Sequence, residues 1–316
     1  MPERRGDGQG GEALERTNAF PDLFNRLAFH PFPERYDAFT TEHPMSLPPR
    51  LVDRTAIVTG AGSRADGIGN GRATAILLAR HGARVTLVDQ NPDWVARTAA
   101  MIAAEGGTAQ TILADVTNQA DCARIVEQTL AAWGRLDILI NNVGISGPRG
   151  TAVEVDPEAW DQALRVNVTS MMLTAKYAIP AMIAGGHGGA IVNLASFAGL
   201  FGGHPGLLYP TSKGAVVNMT RAMAAHHAAD GIRVNAVAPG MVYTPMVYAD
   251  GMTAEVRAGR KNRSLLKTEG TAWDVAHGVL YLVTEDSRWV TGIILPVDAG
   301  ASAAPSAYPH KDSLMR

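Results

Sequence analysis

The chain has one cysteine in 316 residues, Cys122. That excludes an internal disulfide and any metal site built on several thiolates. Cys122 itself lies in a helical pattern and reads as a small core residue. Charged residues make up only 18%, and the formal net charge is -2. No basic surplus exists to hold nucleic acid or an anionic membrane. No apolar run reaches the ~18 residues that span a bilayer. A charged-then-apolar signal pattern is absent from the N-terminus. These absences together lead to the expectation of a cytoplasmic protein with no metal, nucleic-acid or membrane partner.

What is present is material for a core. Hydrophobic residues make up 46%, and the 33 glycines allow tight turns. The length suits one large α/β domain or two small ones. Residues 1–50 differ from the rest. A glycine-rich opening (Gly6, Gly8, Gly10, Gly11) is expected to be disordered. From Phe20 to Phe39, aromatics and prolines recur without a period. Either this segment is an arm that wraps a neighbouring subunit or its own domain, or it is simply an over-long N-terminus.

From residue 51 onward, strand and helix patterns alternate. Arg54–Thr59 is a short β-branched run ending at Gly60. Gly62, Gly67, Gly69 and Gly71 follow it, and a helical pattern then runs to His81. Strand, glycine-rich turn and helix form the unit that cradles a dinucleotide pyrophosphate. The next strand, Arg84–Asp89, ends in an acid about twenty residues past the turn. A carboxylate there can accept both hydroxyls of an adenosine ribose and repel a 2'-phosphate, which favours NAD over NADP. It can equally be a capping Asp, and Arg64 in the loop is placed to meet a 2'-phosphate. Further strands end near Asp115, at Asn141 and at Leu194, and Ile232–Ala238 runs into Pro239-Gly240. A long helical pattern from Trp160 to Pro180 contains Asn167, a residue that weakens helices and tends to need a reason. The alternation predicts a doubly wound parallel sheet, with ligands beyond the carboxyl ends of its strands.

One stretch carries candidate chemistry, Ser196 to Lys213. Tyr209 and Lys213 are four apart, so on a helix they share a face. Pro210 suits the first turn of that helix. An ammonium near the phenol favours phenolate, so Tyr209 is expected to exchange a proton near neutral pH. Ser196, at the end of a buried strand, can hydrogen-bond the same substrate oxygen. Alone, Tyr-x-x-x-Lys is a weak signal, and a surface helix carrying both residues explains it as well.

In their order, the glycine turn, Asn141-Asn142-Val143-Gly144, Asn167, Ser196, Tyr209 with Lys213, and Pro239-Gly240 resemble the short-chain dehydrogenase/reductase family. The resemblance runs from about Leu51 to Ala301, leaving 1–50 as an extension and 302–316 as a tail. It implies a single Rossmann-type domain of about seven parallel strands, usually in homotetramers or dimers. It also implies that Tyr209 is the general acid/base and that Lys213 lowers its pKa and holds the nicotinamide ribose. Ser196 would orient the substrate oxygen, and Asn167 would hold a water in the proton relay. Gly60, Gly67 and Gly69 would be the dinucleotide glycines, with Gly62 and Ile68 beside them. Asp115 and Val116 would meet the adenine, with Asn142 and Gly144 at the central turn. Pro239, Gly240, Val242 and Thr244 would hold the nicotinamide side. Two departures stand out. Six residues separate Gly60 from Gly67 where three are usual, and Val143 replaces an alanine.

The implied activity is hydride transfer between NAD and a secondary alcohol or ketone. A 3-oxoacyl thioester reductase is the first alternative, and a non-catalytic NAD-binding sensor the second. The apolar segment Met241–Met252 reads as a lid or as a core helix. The basic run Arg257, Arg260, Lys261, Arg263 and Lys267 either greets an acidic substrate or is a solvated face. Phe201, His204 and Leu207 are candidate pocket residues.

Overall fold

The structure is a computed structural model that describes residues 48–304. The expectations for residues 1–47 and 305–316 lie outside the described residues. Seven parallel strands form one sheet in the order β3-β2-β1-β4-β5-β6-β7. They are β1 (Thr55–Thr59), β2 (Arg84–Asp89), β3 (Thr108–Leu113), β4 (Ile138–Asn141), β5 (Gly189–Leu194), β6 (Ile232–Pro239) and β7 (Ile294–Val297). Chain order runs outward from β1 to β3, then reverses to place β4 on the other side of β1. The crevice at that reversal is where ligands of such sheets bind.

Strand β1 shows why the sheet is covered on both faces. Its five residues are all buried, with alternate side chains in different clusters. Ala56 and Val58 join the helices α1 (Asn70–Arg80) and α9 (Ala272–Val283) on one face. Ile57 joins α3 (Gln119–Trp133) and α5 (Ser170–Gly185) on the other. A period of two thus distributes one strand between two cores, which is why these strands read as continuous apolar runs. Helix α1 is buried from Gly71 to Ala79 because it lies between the sheet and α9.

The remaining helices are α2 (Pro92–Ala104), α4 (Pro157–Leu164), α6 (Leu208–His227), α7 (Pro245–Tyr248) and α8 (Ala254–Asn262). Side-chain caps from Asn91, Asn118, Asp156 and Thr253 close α2, α3, α4 and α8. The long helix expected from Trp160 to Pro180 is present as one helical run, residues 157–185, with a π-helical turn inside it. A π-helical turn, Arg165–Thr169, separates α4 from α5 and contains Asn167. The chain then stays helical through Pro180 to Gly185. Cys122 is fully buried on α3, and desolvation pushes its thiol up to about 11. Among the described residues no helix is long and apolar enough to cross a membrane, and no three His, Cys, Asp or Glu cluster as a metal site.

Candidate active site

The chemistry gathers where β5 ends and α6 begins. Ser196 lies two residues past β5, and its Oγ accepts the Ala198 N–H at 3.2 Å. Tyr209 is the second residue of α6, and Pro210 occupies the first turn as expected. The half-buried Tyr209 phenol is hydrogen-bonded to Ser196. Lys213, one turn on, is buried and donates from Nζ to the Leu194 carbonyl at 2.7 Å. Its ammonium lies 5.9 Å from the centre of the Tyr209 ring. Gly144 makes room for it, since a Cβ there would stand 3.2 Å from Lys213 Nζ and 3.5 Å from Asn167 Oδ1.

Asn167 is fully buried, and the π turn explains its presence. The Ser170 N–H reaches back five residues to the Arg165 carbonyl, which adds one residue to the turn. Asn167 then accepts the Ile145 N–H at 2.7 Å and donates to the Ile145 carbonyl at 2.9 Å and to Ser212 Oγ at 3.1 Å. Ser212 in turn donates to the Tyr209 carbonyl at 2.8 Å. One buried network therefore joins the loop after β4, the π turn and the catalytic helix.

The electrostatics correct one expectation. Burial pushes the Tyr209 phenol above its ordinary value, and the Ser196 hydrogen bond only partly opposes it. The expected depression by Lys213 is absent: its ammonium lies 5.9 Å from the ring centre and is turned to the Leu194 carbonyl, and burial lowers its own pKa to about 8. At pH 7 Lys213 is still mostly protonated, but it is weakly stabilised and turned to Leu194.

On the dinucleotide side, Gly60 takes a φ of +63° directly after β1. Asn142 holds this turn by donating from Nδ2 to the carbonyls of Thr59 at 3.2 Å and Gly60 at 2.9 Å. The closest helix–strand approach belongs to Gly71. A Cβ there would lie 2.0 Å from the Gly60 carbonyl oxygen and 2.5 Å from Asn142 Nδ2. The resemblance had assigned the glycine roles to Gly60, Gly67 and Gly69. Because the loop is enlarged, Gly69 becomes the N-cap of α1, and contact with β1 falls to Gly71. Position within the helix, rather than spacing from Gly60, was the signal that could have found it. Helix α1 begins at Gly69 without a side-chain cap, which leaves first-turn N–H groups for an anion.

The enlarged loop is anchored on three sides. Arg72, almost fully buried, donates to the Gly67 carbonyl at 2.6 Å, the Trp94 carbonyl at 3.2 Å and Thr98 Oγ1 at 3.0 Å. Tyr248 of α7 donates to the Asp66 carbonyl at 2.9 Å. Arg64 pairs with Asp250 at 3.2 Å. The Tyr243 and Tyr248 rings stack at 4.6 Å between centroids. Met246 is exposed on α7, so the Met241–Met252 segment lies over the loop and is not a core helix. At the end of β2, Asp89 accepts Gly62 N–H at 2.9 Å on one oxygen and Asn91 N–H at 3.1 Å on the other. Asp115 is fixed by its own turn to Thr117, with Val116 buried beside it. Ile68 packs on the core. Val242 bridges to Gly270, and Thr244 caps α7 in a buried position. Gly240 lies so close to Asp298 that a Cβ would come within 2.5 Å of its side chain, which sets the turn after Pro239.

Among the pocket candidates, the His204 ring lies 5.5 Å from the Tyr209 ring, and Phe201 packs edge-on to Phe197 at 5.5 Å. Leu207 is exposed at the start of α6.

Comparison with known proteins agrees with this geometry. Residues 63–302 match the profile of the family described as enoyl-(acyl carrier protein) reductase. A 2-(S)-hydroxypropyl-CoM dehydrogenase of Xanthobacter autotrophicus is 38% identical over 258 residues, covering 80% of this chain and 98% of that protein. A cis-4-hydroxycyclohexanecarboxylate dehydrogenase of Sinomonas cyclohexanicum is 38% identical over 255 residues, with the same two coverages. The solved structure of a short-chain type dehydrogenase/reductase from Mycobacterium ulcerans superposes with a TM-score of 0.75 at 31% identity. It covers 81% of this chain and 92% of that one.

Proposed function

The chain belongs to the short-chain dehydrogenase/reductase family, and on that premise we propose that it is an NAD-dependent oxidoreductase interconverting a secondary alcohol and a ketone. The observation that carries the reading is the hydrogen-bonded Ser196–Tyr209 pair with Lys213 buried one turn behind it. Two relatives named above support the substrate class, since a 2-hydroxypropyl group and a 4-hydroxycyclohexane ring both carry secondary alcohols.

A dinucleotide fits the residues present. Gly60 and Gly71 clear the backbone path, the N-terminus of α1 is uncapped, and Asp89 stands at the end of β2. Bound there, the cofactor supplies the hydride acceptor or donor. This chain's own residues do the rest. Ser196 Oγ and Tyr209 Oη hold the substrate oxygen. Tyr209 takes the hydroxyl proton as the carbon loses hydride, and returns it in reduction. For that step it must be phenolate; the Ser196 hydrogen bond offsets part of the cost of burial, and Lys213 would hold the nicotinamide ribose. Asn167 fixes the Ile145 loop and, through Ser212, the start of α6. Asp115 and Val116 would meet the adenine, Ile68 would lie with Gly67 and Gly69 along the dinucleotide, Asn142 and Gly144 would stand at the central turn beside it, and Pro239, Gly240, Val242 and Thr244 would hold the nicotinamide side.

Preference for NAD rests on Asp89, whose carboxylate would face an adenosine ribose. The arginines at the loop are engaged, Arg64 by Asp250, Arg72 by Gly67, Trp94 and Thr98, and Arg97 by Asp66. A 3-oxoacyl thioester reductase is the second reading, close to the description of the matching profile. The test is reduced-nicotinamide absorbance with NAD and, separately, NADP, over open-chain and cyclic secondary alcohols. Turnover with NAD is expected. Tyr209→Phe should lower it by at least ~10²-fold, the scale of positioned proton transfer, while dinucleotide binding is kept. Preference for NADP would overturn the role of Asp89 and favour the thioester reductase. Binding of NAD without turnover of any alcohol would favour a sensor.

A further inference from the structure

The basic run after Met252 is not a uniform solvated face. Arg257 and Arg260 both turn to Glu269, at 2.7 and 3.6 Å, whose side chain is only 3% exposed. Lys267 donates to the Asn262 carbonyl at 2.7 Å. Arg263 differs from these. Among the described residues it has no carboxylate partner, and its guanidinium lies 5.4 Å from the centre of the Phe197 ring. Phe197 directly follows Ser196 and is buried in one apolar cluster with Met241 and Ala301, against which Phe201 and Tyr209 pack. The cation therefore rests on the wall that the catalytic tyrosine shares.

Its position is held by the backbone. Arg263 N–H donates to the Arg260 carbonyl at 3.1 Å. The buried Ser264 Oγ donates to the carbonyls of Lys261 at 3.0 Å and Thr268 at 2.9 Å. Leu265 N–H donates to the Ala299 carbonyl at 3.0 Å, just past the carboxyl end of β7. A guanidinium resting on a ring keeps the donors along its edges for a planar or tetrahedral oxyanion.

We propose that the substrate carries an anionic group, a carboxylate or a sulfonate, on the carbon skeleton that bears the reacting hydroxyl, and that Arg263 on Phe197 holds it. This deepens, and rests on, the alcohol-dehydrogenase reading. The second charge would fix the skeleton at a distance from Tyr209 and select against neutral alcohols of the same shape.

The test measures binding, so it needs no turnover. Calorimetry follows cyclohexanecarboxylate, cyclohexanesulfonate and the neutral cyclohexanecarboxamide titrated into protein saturated with reduced dinucleotide. The anions should bind tighter than the amide by at least ~10-fold, as charge-assisted pairing at arginine implies. Arg263→Gln should erase that difference, Arg263→Lys should restore part of it, and the amide should change by less than about twofold in either variant. The tighter of the two anions identifies the acid. Equal affinity for anion and amide in the unmodified protein would overturn the proposal. So would a Gln variant that weakens both alike, because that marks a structural role. If no secondary alcohol turns over while anion binding still depends on Arg263, the dehydrogenase reading falls and the anion site stands.

Discussion

Lys213, proposed as part of the catalytic set, carries a cost in stability. Its ammonium is buried with one carbonyl for a partner, and desolvation lowers its pKa from 10.5 to about 8. The unfolded chain therefore binds the proton more tightly than the folded one. The penalty is complete below about pH 8 and is relieved as pH rises toward 10.5. Lys213→Met should make the protein more stable at pH 7, by about 1–3 kcal/mol from a shift of this size. Denaturant melts at pH 7, 9 and 10.5 should show that advantage shrinking with rising pH. An advantage that grows with pH would refute the desolvation account. Desolvation likewise raises the Tyr209 phenol, and the Ser196 hydrogen bond acts against it.

At the level of elements, the glycine turn works through close contact of one helix with one strand. The Gly60 carbonyl and the Gly71 Cα approach so closely that no side chain fits between them. Gly71→Ala must push α1 off β1 or break the Asn142 bridge. It should cost about 1–3 kcal/mol, as overpacking does, and lower dinucleotide affinity more than its effect on melting alone implies. Fluorescence titration with reduced dinucleotide measures this, with Gly259→Ala as a control in which no atom lies within 4 Å of the added Cβ. A Gly71→Ala protein that binds as the parent does would remove Gly71 from the cradle. The π turn is the second such device. It turns a helix-weakening asparagine inward, where both of its amide groups are satisfied.

Across the whole molecule, the end of the sheet opposite the candidate site is tied at the central strands β1 and β4. Asp137, just before β4, accepts the Thr55 N–H at 2.9 Å and pairs with Arg54 at 3.1 Å and Arg135 at 2.5 Å. Arg54 also reaches Glu285 past α9 at 3.3 Å. Burial alone would raise the Asp137 pKa, but its hydrogen bonds from Arg135, Thr55 and Arg54 together bring it below the ordinary value. Its contribution is therefore present above the unfolded aspartate pKa of ~3.9 and is lost as pH falls through the folded value. Asp137→Asn should cost about 1–3 kcal/mol at pH 7, since a buried carboxylate loses its charge-assisted hydrogen bonds while the two arginines left behind are partly exposed. The difference from the parent should narrow below pH ~4. A constant difference across that range would mean that packing, not charge, is what was lost.

The sequence by itself determined the doubly wound sheet, its strand ends and the Ser196, Tyr209 and Lys213 set, because these rest on local periods of 2 and 3.6 and on short fixed spacings. It also placed Asp89 at the end of β2, where a strand pattern simply stops. Three things were decided only by tertiary structure. The π turn at Arg165–Thr169 depends on Ile145 and Ser212 being brought to Asn167 from 22 and 45 residues away. The role of Gly71 depends on how an enlarged loop seats a helix on a strand. The division of the basic run, with Glu269 taking two arginines and leaving Arg263 on Phe197, depends on a carboxylate and a ring that no spacing connects. In each case the controlling interaction is between groups distant in the chain, and burial sets its strength.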